Sequence, residues 1–235
     1  QLFDPHLVGT NKIGDESCSF KTLSETLNIL QILEPEPCIN FVKEYIKKGI
    51  TTHGQNWRYS DINTLLLSIS RDLKIENYLE IGVRRGRSMC VLASQSKDVN
   101  IFGFDIWIPD YVGIDNPGKE FVTNELKKVG HAGNIEFIDG DSKKTIPKFF
   151  RDNPNLFFDV ITVDGDHSLV GASKDLRNVK NYLKIGGILV FDDISSQEHP
   201  YLRKVWEREI KSLDNFYTWE FSDLGLGIAF AIRKY

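Results

Sequence analysis
Five short apolar runs, YLEIG, NIFGFD, NIEFID, FFDVITVD and GGILVFDD, occur in that order between residues 78 and 193, with helix-periodic segments between them. Strands that alternate with helices pair in parallel, because a crossover of helical length returns the chain to the same end of the sheet, and the helices then cover its faces. The connector at 169–183 shows the pattern: Leu169, Ala172, Leu176, Val179 and Leu183 recur at spacings of three and four, and Gly186 and Gly187 are expected to end that helix. The tail differs, since FYTWEFSD and GIAFAIRKY flank a glycine-containing turn and read as an antiparallel hairpin. At 235 residues the chain is long enough for one large core, or a core with a small appendage, and it holds no internal repeat.

Before residue 61 the pattern is helical. In TLSETLNILQIL, Thr22 and Glu25 have capping-box spacing and Leu23, Leu27 and Leu30 share a face; this helix stops before EPEPC. A second helix fits Ile39, Val42 and Ile46 and closes at Gly49, and a third fits Ile62, Leu65, Leu66, Ile69 and Leu73. The intervening TTHGQNWRYS reads as an exposed loop. Residues 1–60 are therefore expected to form a helical extension or lid, and residues 61–235 the main domain.

A net charge of −4 gives no general attraction for nucleic acid or an anionic membrane. No stretch has the roughly 18 consecutive apolar residues of a membrane span. Cys18, Cys38 and Cys90 are odd in number and unpaired in spacing, which fits a reducing compartment, so a cytoplasmic location is expected. The chain opens on Gln1 rather than Met, as a domain within a longer multidomain polypeptide would.

Parallel sheets bind ligands outside the carboxyl ends of their strands, and here acids and glycines collect at those ends. LEIGVRRGRS puts Glu80, Gly82 and Gly86 where the first strand turns into a helix, a Glu-x-Gly-x-x-x-Gly spacing distinct from the dinucleotide-binding G-x-G-x-x-G. Asp105 ends the second strand, where a carboxylate accepts ribose hydroxyls in nucleotide-binding sheets. Asp139, Asp141 and Ser142 end the third, VDGDHS supplies Asp164, Asp166 and His167 after the fourth, and FDDI supplies Asp192 and Asp193 after the fifth.

Taken together, this series resembles the class I S-adenosylmethionine-dependent methyltransferases over about residues 60–235, and within them the metal-dependent sugar O-methyltransferases of the macrocin type and the cephalosporin hydroxylase-like group. The resemblance implies an α/β, Rossmann-like sheet of seven strands, mostly parallel, whose last strand is antiparallel. It places Glu80 and Gly82 beside the methionine part of S-adenosylmethionine, Asp105 on the ribose hydroxyls, and Asp141 with Ser142 along the adenine. Gly86 lets the ligand approach the backbone, and Asp164 borders both the cofactor and the metal.

Asp164 and Asp192 end consecutive strands which, as sheet neighbours about 4.8 Å apart, would converge on one cation, with Asp193 a third ligand. Three carboxylates suit a hard ion, most simply Mg²⁺, and the resemblance assigns the same three positions to the metal. It favours Asp166 as the base that takes the acceptor's proton. His167, which titrates nearer neutrality, is the second candidate.

Each acid also has a structural reading. Asp164 and Asp192 could bond loop amides, Asp193 could cap a helix, and Asp166, His167 or Ser168 could cap the helix that follows. Glu80 and Asp105 could be buried acids on turn amides. Trp107 and Tyr111 could form a lid or merely pack, and His199 reads as an exposed, solvated histidine. Arg84, Arg85 and Arg87 could be a solvated helix start or could meet an anionic group such as a nucleotide-sugar phosphate.

The expected activity is thus metal-dependent O-methylation of a hydroxylated small molecule or glycan, a deoxysugar being favoured. Self-association is left open. The other readings are a hydroxylase-like enzyme, a catalytically silent scaffold, or a methyltransferase acting on a different acceptor. Nucleic acid is disfavoured as an acceptor by the acidic balance and by the lack of an Asn-Pro-Pro-Tyr motif.

Overall fold
The computed structural model describes residues 8–110 and 113–235. Seven strands form one sheet in the order β3-β2-β1-β4-β5-β7-β6. They are β1 Asn77–Ile81, β2 Asn100–Asp105, β3 Ile135–Asp139, β4 Phe158–Val163, β5 Leu183–Asp192, β6 Phe216–Phe221 and β7 Ile228–Arg233. The first five pair in parallel, and β7 runs antiparallel to both β5 and β6. This is the expected α/β sheet with its terminal hairpin.

Because the sheet is covered on both sides, its central strands are apolar at nearly every position, and alternation only decides which layer a side chain joins. Tyr78, Val160, Ile188, Val190 and Phe230 face one core, shared with the N-terminal helices α1 Thr10–Ser17, α2 Phe20–Ile32, α3 Pro37–His53 and α4 Ile62–Asp72, and with α5 Arg87–Ala93 and α6 Lys119–Lys128. Leu79, Ile161, Val163, Leu189 and Phe191 face the other, under α7 Ser142–Asp152, α8 Leu169–Val179 and α9 Leu202–Trp206, which runs into a π-helical turn at Glu207–Lys211.

Helix ends depart from expectation where tertiary contacts overrule local signals. Helix α1, with one apolar residue at its centre, gave no periodic signal; it is pinned by Gly14, where a Cβ would stand 2.1 Å from the Trp219 ring. Helix α2 begins at Phe20, so its cap is Ser19, whose hydroxyl accepts from the Thr22 amide. The expected box partners Thr22 and Glu25 lie inside the helix and both bind Arg71. Helix α3 runs past Gly49 to His53 because Gly49 is the flat seat of the Trp57 ring, 2.3 Å from where a Cβ would be. TTHGQNWRYS is consequently no continuous exposed loop: it completes α3, forms a single turn at Gly54–Asn56 and buries Tyr59 and Ser60. Gly186 and Gly187 do not stop α8; they lie within β5, where its register against β4 shifts.

The chain leaves β1 and β4 on opposite sides of the strand order, so the loops after these two central strands diverge and open a crevice at the sheet's carboxyl edge. Ile81 pairs with Val163, which sets Gly82 beside Asp164 directly above the sheet.

Candidate functional site
The loop after β1 is shaped by two glycines. Gly82 has φ +90° and bonds through its amide to the Phe104 carbonyl, while the Asp164 amide bonds to the Ile81 carbonyl, so both loops continue the ladder by one residue. A Cβ on Gly82 would come within 1.9 Å of the Asp164 carbonyl oxygen. Gly86 has φ +71°, and a Cβ there would meet the Val122 side chain at 2.5 Å. Both positions need glycine on steric and conformational grounds, and together they bring backbone close to the crevice.

Glu80 lies beneath this loop, wholly buried. The Tyr78 hydroxyl, two residues away on the same face, donates to one of its oxygens, and the Ser88 hydroxyl donates to the other at 2.7 Å. Burial pushes its carboxyl up to about 8, against the pull of those two donors. Asp105 accepts from the Arg84 amide at 2.7 Å and from the Trp107 amide at 2.5 Å. These bonds tie the ends of the β1 and β2 loops together and leave each oxygen one further lone pair.

Asp141 caps α7, accepting from the Lys143 amide at 3.0 Å, with Ser142 the first helical residue. Asp139 instead binds Lys119 at 2.6 Å and the Trp107 indole at 2.9 Å, so Trp107 is anchored at the third strand's end. Tyr111 lies outside the described residues.

The acids after β4 and β5 sort in a way the sequence did not show. Asp164, His167 and Asp193 come together, each offering a ligand atom within 4.8 Å of the others; among the described residues no other such group of three forms. His167 Nε2 stands 3.2 Å from Asp164 Oδ1 and 3.5 Å from Asp193 Oδ2. The expected third ligand, Asp192, lies outside this set. Strand alternation carries its side chain to the face opposite Phe191, where the charges of Asp193, Asp164 and, more weakly, Asp61 act on it. Asp193 has φ +63°, a left-handed turn that breaks the alternation and brings its carboxylate to His167.

Burial and mutual repulsion then act on the cluster. Asp193 is pushed up to about 7 by burial and by the charge of Asp164, against the opposing charges of His167 and Arg87. Asp192 is driven well above the carboxylate range by burial and by the charges of Asp193 and Asp164. Burial pulls the His167 imidazole down, but its bond to Asp164 and the charges of Asp164, Asp193 and Asp166 outweigh that and raise it. Two carboxylates crowded together in this way fit a divalent cation. The imidazole beside them is a donor that transition metals take more readily than Mg²⁺, so the set suits a divalent ion without singling out magnesium.

Asp166 is differently employed. Its carboxylate binds Lys143 at 2.6 Å and accepts from the Ser168 amide at 2.9 Å, and these donors outweigh burial and hold it below the usual range. Ser168 caps α8, accepting from the Gly171 amide. His199 is half-buried rather than solvated, its ring 5.3 Å from that of His167 and its Nδ1 3.1 Å from the Tyr201 hydroxyl. Asp175 was missed altogether: it is fully buried on α8, its carboxylate lacks a hydrogen-bond partner of good geometry, and burial pushes it up to about 7. A charged residue at an inward position of α8's stripe is the signal that could have found it.

Residues 79–194 match a family described as a methyltransferase domain. An uncharacterised protein of Acanthamoeba polyphaga mimivirus, R132, is 28% identical over 168 residues, covering 69% of this chain and 72% of its own. Among solved structures, CalS11, titled a TDP-rhamnose 3'-O-methyltransferase of calicheamicin biosynthesis, superposes with a TM-score of 0.56 at 18% identity, over 91% of this chain and 93% of its own. The O-methyltransferase TomG of Streptomyces achromogenes, solved with S-adenosylmethionine, gives 0.56 at 16% identity over 92% and 90%. At these identities the structural likeness is one of fold. The residues that match the methyltransferase-domain family, 79–194, include the glycine loop, the strand-end acids and His167, on a sheet whose fold is shared with solved methyltransferases.

Proposed function
We propose that the protein transfers the methyl group of S-adenosylmethionine to a hydroxyl of a small molecule or glycan, a deoxysugar being the favoured acceptor. The observation that carries this reading is the meeting of His167 with Asp164 and Asp193 beside the Gly82–Gly86 loop, which puts a proton acceptor next to the cofactor crevice. A structural neighbour titled as a sugar 3'-O-methyltransferase supports the choice of acceptor class.

In this reading Asp105 accepts the ribose hydroxyls with its free lone pairs, Asp141 and Ser142 border the adenine, and the Gly82 and Gly86 backbone seats the methionine part. Asp164 and Asp193 would hold a divalent cation, with Asp192 adjacent; when bound, it would supply acidity to a chelated acceptor hydroxyl. His167, whose Nε2–H faces the Asp164 carboxylate, takes the hydroxyl proton on its other ring nitrogen, Nδ1, as the acceptor oxygen forms its bond to the methyl carbon and the sulfur–methyl bond breaks. The carboxylates flanking the ring favour its protonated form, which suits it to receive that proton. Asp166, already bonded to Lys143 and the Ser168 amide, is better placed to hold the turn than to move a proton, so the geometry favours His167 over the base that the resemblance suggested.

Calorimetric titration with S-adenosylhomocysteine, followed by methyl transfer to a panel of free and nucleotide-linked sugars with and without chelator, tests the proposal. Cofactor binding with chelator-sensitive transfer to a hydroxyl is the expected result. Absence of cofactor binding would overturn it.

A further inference from the structure
The three arginines of the RRGR run differ in what they already do. The Arg84 guanidinium stands 3.6 Å from the Cys38 thiol through both terminal nitrogens. Arg85 lies 4.3 Å over the Phe121 ring, donates to the Asp115 carbonyl at 3.2 Å and pairs with Glu34 at 3.7 Å, which locks it against the body of the protein. Arg87 differs from both in that, among the described residues, no hydrogen bond or ion pair holds it; like Arg85, it has a buried Nε without an acceptor. It follows Gly86 directly, at the point where the loop whose Gly82 abuts the Asp164 carbonyl enters α5.

We propose that Arg87 is an oxyanion-recognising residue of this site, holding a carboxylate or phosphate group of a bound molecule through its guanidinium fork. A planar fork with unused donors, partly withdrawn from water, gains most from a bidentate oxyanion, whereas a fully solvated arginine gains little. The place of Arg87 beside Gly86, in the loop that also packs Gly82 against Asp164, puts the group it holds at the same crevice, and its charge also acts on Asp193. Two bound molecules could present that oxyanion: the cofactor, through the carboxylate of its methionine part, or the acceptor, through a phosphate such as that of a nucleotide-linked sugar. The inference rests on the methyltransferase reading above and deepens it by assigning a determinant of ligand recognition.

The test uses the whole chain as wild type, Arg87→Lys and Arg87→Met, in chelator so that no cation bridges the anion. S-adenosylhomocysteine and 5′-methylthioadenosine, which lacks the amino-acid carboxylate, are titrated into each, and inorganic pyrophosphate is then titrated into the protein with and without S-adenosylhomocysteine. If the cofactor supplies the anion, Arg87→Met loses at least tenfold in S-adenosylhomocysteine affinity with methylthioadenosine unchanged, and Arg87→Lys falls between. If the acceptor supplies it, both nucleosides bind as before and pyrophosphate affinity drops at least tenfold. Equal losses for the two nucleosides, or no change for any probe, would overturn the assignment and leave Arg87 as an offset to the charge of Asp193. Wild-type protein that fails to bind S-adenosylhomocysteine refutes the cofactor reading alone, since the pyrophosphate titration of the free protein still decides the role of Arg87.

Discussion

The Asp164 carbonyl oxygen occupies the space where residue 82 would carry a side chain, 1.9 Å from an ideal Cβ. Gly82 also sits at φ +90°, so even the smallest side chain meets both a clash and a strained backbone. Gly82→Ala is expected to destabilise the fold by about 2 to 4 kcal/mol and to abolish cofactor binding, because relief of the clash has to push the β1 and β4 loops apart. Urea unfolding and calorimetry with S-adenosylhomocysteine read the two effects; a variant with wild-type stability and affinity would contradict the close approach.

His167 and Asp166 separate by turnover. His167→Ala is expected to keep cofactor affinity and lose about 10²- to 10⁴-fold in the rate of methyl transfer, the usual scale for a general base. Asp166→Asn breaks the Lys143 ion pair but keeps an acceptor for the Ser168 amide, so its effect should be a modest loss of stability with most of the rate retained. Single-turnover transfer at saturating cofactor compares them, and the reverse ranking would return the base to Asp166.

Asp105→Ala removes the carboxylate that bridges the Arg84 and Trp107 amides and, in the proposed mode, the ribose hydroxyls. Affinity for S-adenosylhomocysteine should fall by about 2 to 3 kcal/mol, the scale of a charge-assisted hydrogen-bond pair. Unchanged affinity by calorimetry would remove Asp105 from the cofactor site.

Asp175 links burial to pH. Its folded-state pKa is raised to about 7 from 3.8, so the folded protein binds a proton there that the unfolded chain has released. The stability it contributes is full below about pH 4 and is lost as pH rises through 7. Asp175→Asn keeps the shape and cannot ionise. Its stability relative to wild type should therefore climb by about 2 to 4 kcal/mol between pH 4 and pH 8. Thermal unfolding across that range measures the difference, and a flat difference would mean that Asp175 is charged without penalty.

How far the sequence carries can be judged element by element. The βαβ rhythm from Tyr78 to Asp193 predicted the five parallel strands and the tail predicted the hairpin, because apolar runs of strand length and helical spacing are local properties of the chain. The strand-end acids were legible for the same reason: a strand's last residues project at the sheet edge wherever the strand lies. Helix ends were less legible, since Gly49 and Gly186 carry local stop signals that the Trp57 ring and the bulge of β5 override. The sorting of the acids belongs to the tertiary structure alone. Asp192 and Asp193 are adjacent in sequence, yet a left-handed φ at Asp193 sends one to His167 while alternation turns the other to the face opposite Phe191. Lys143 claims Asp166 across the gap between α7 and the turn after β4, and the Glu34, Asp115 and Phe121 contacts claim Arg85 while leaving Arg87 unspent. Local patterning determines which elements form and which residues reach the sheet edge, whereas the partners that set a side chain's charge and direction come from distant parts of the chain and exist only once it is folded.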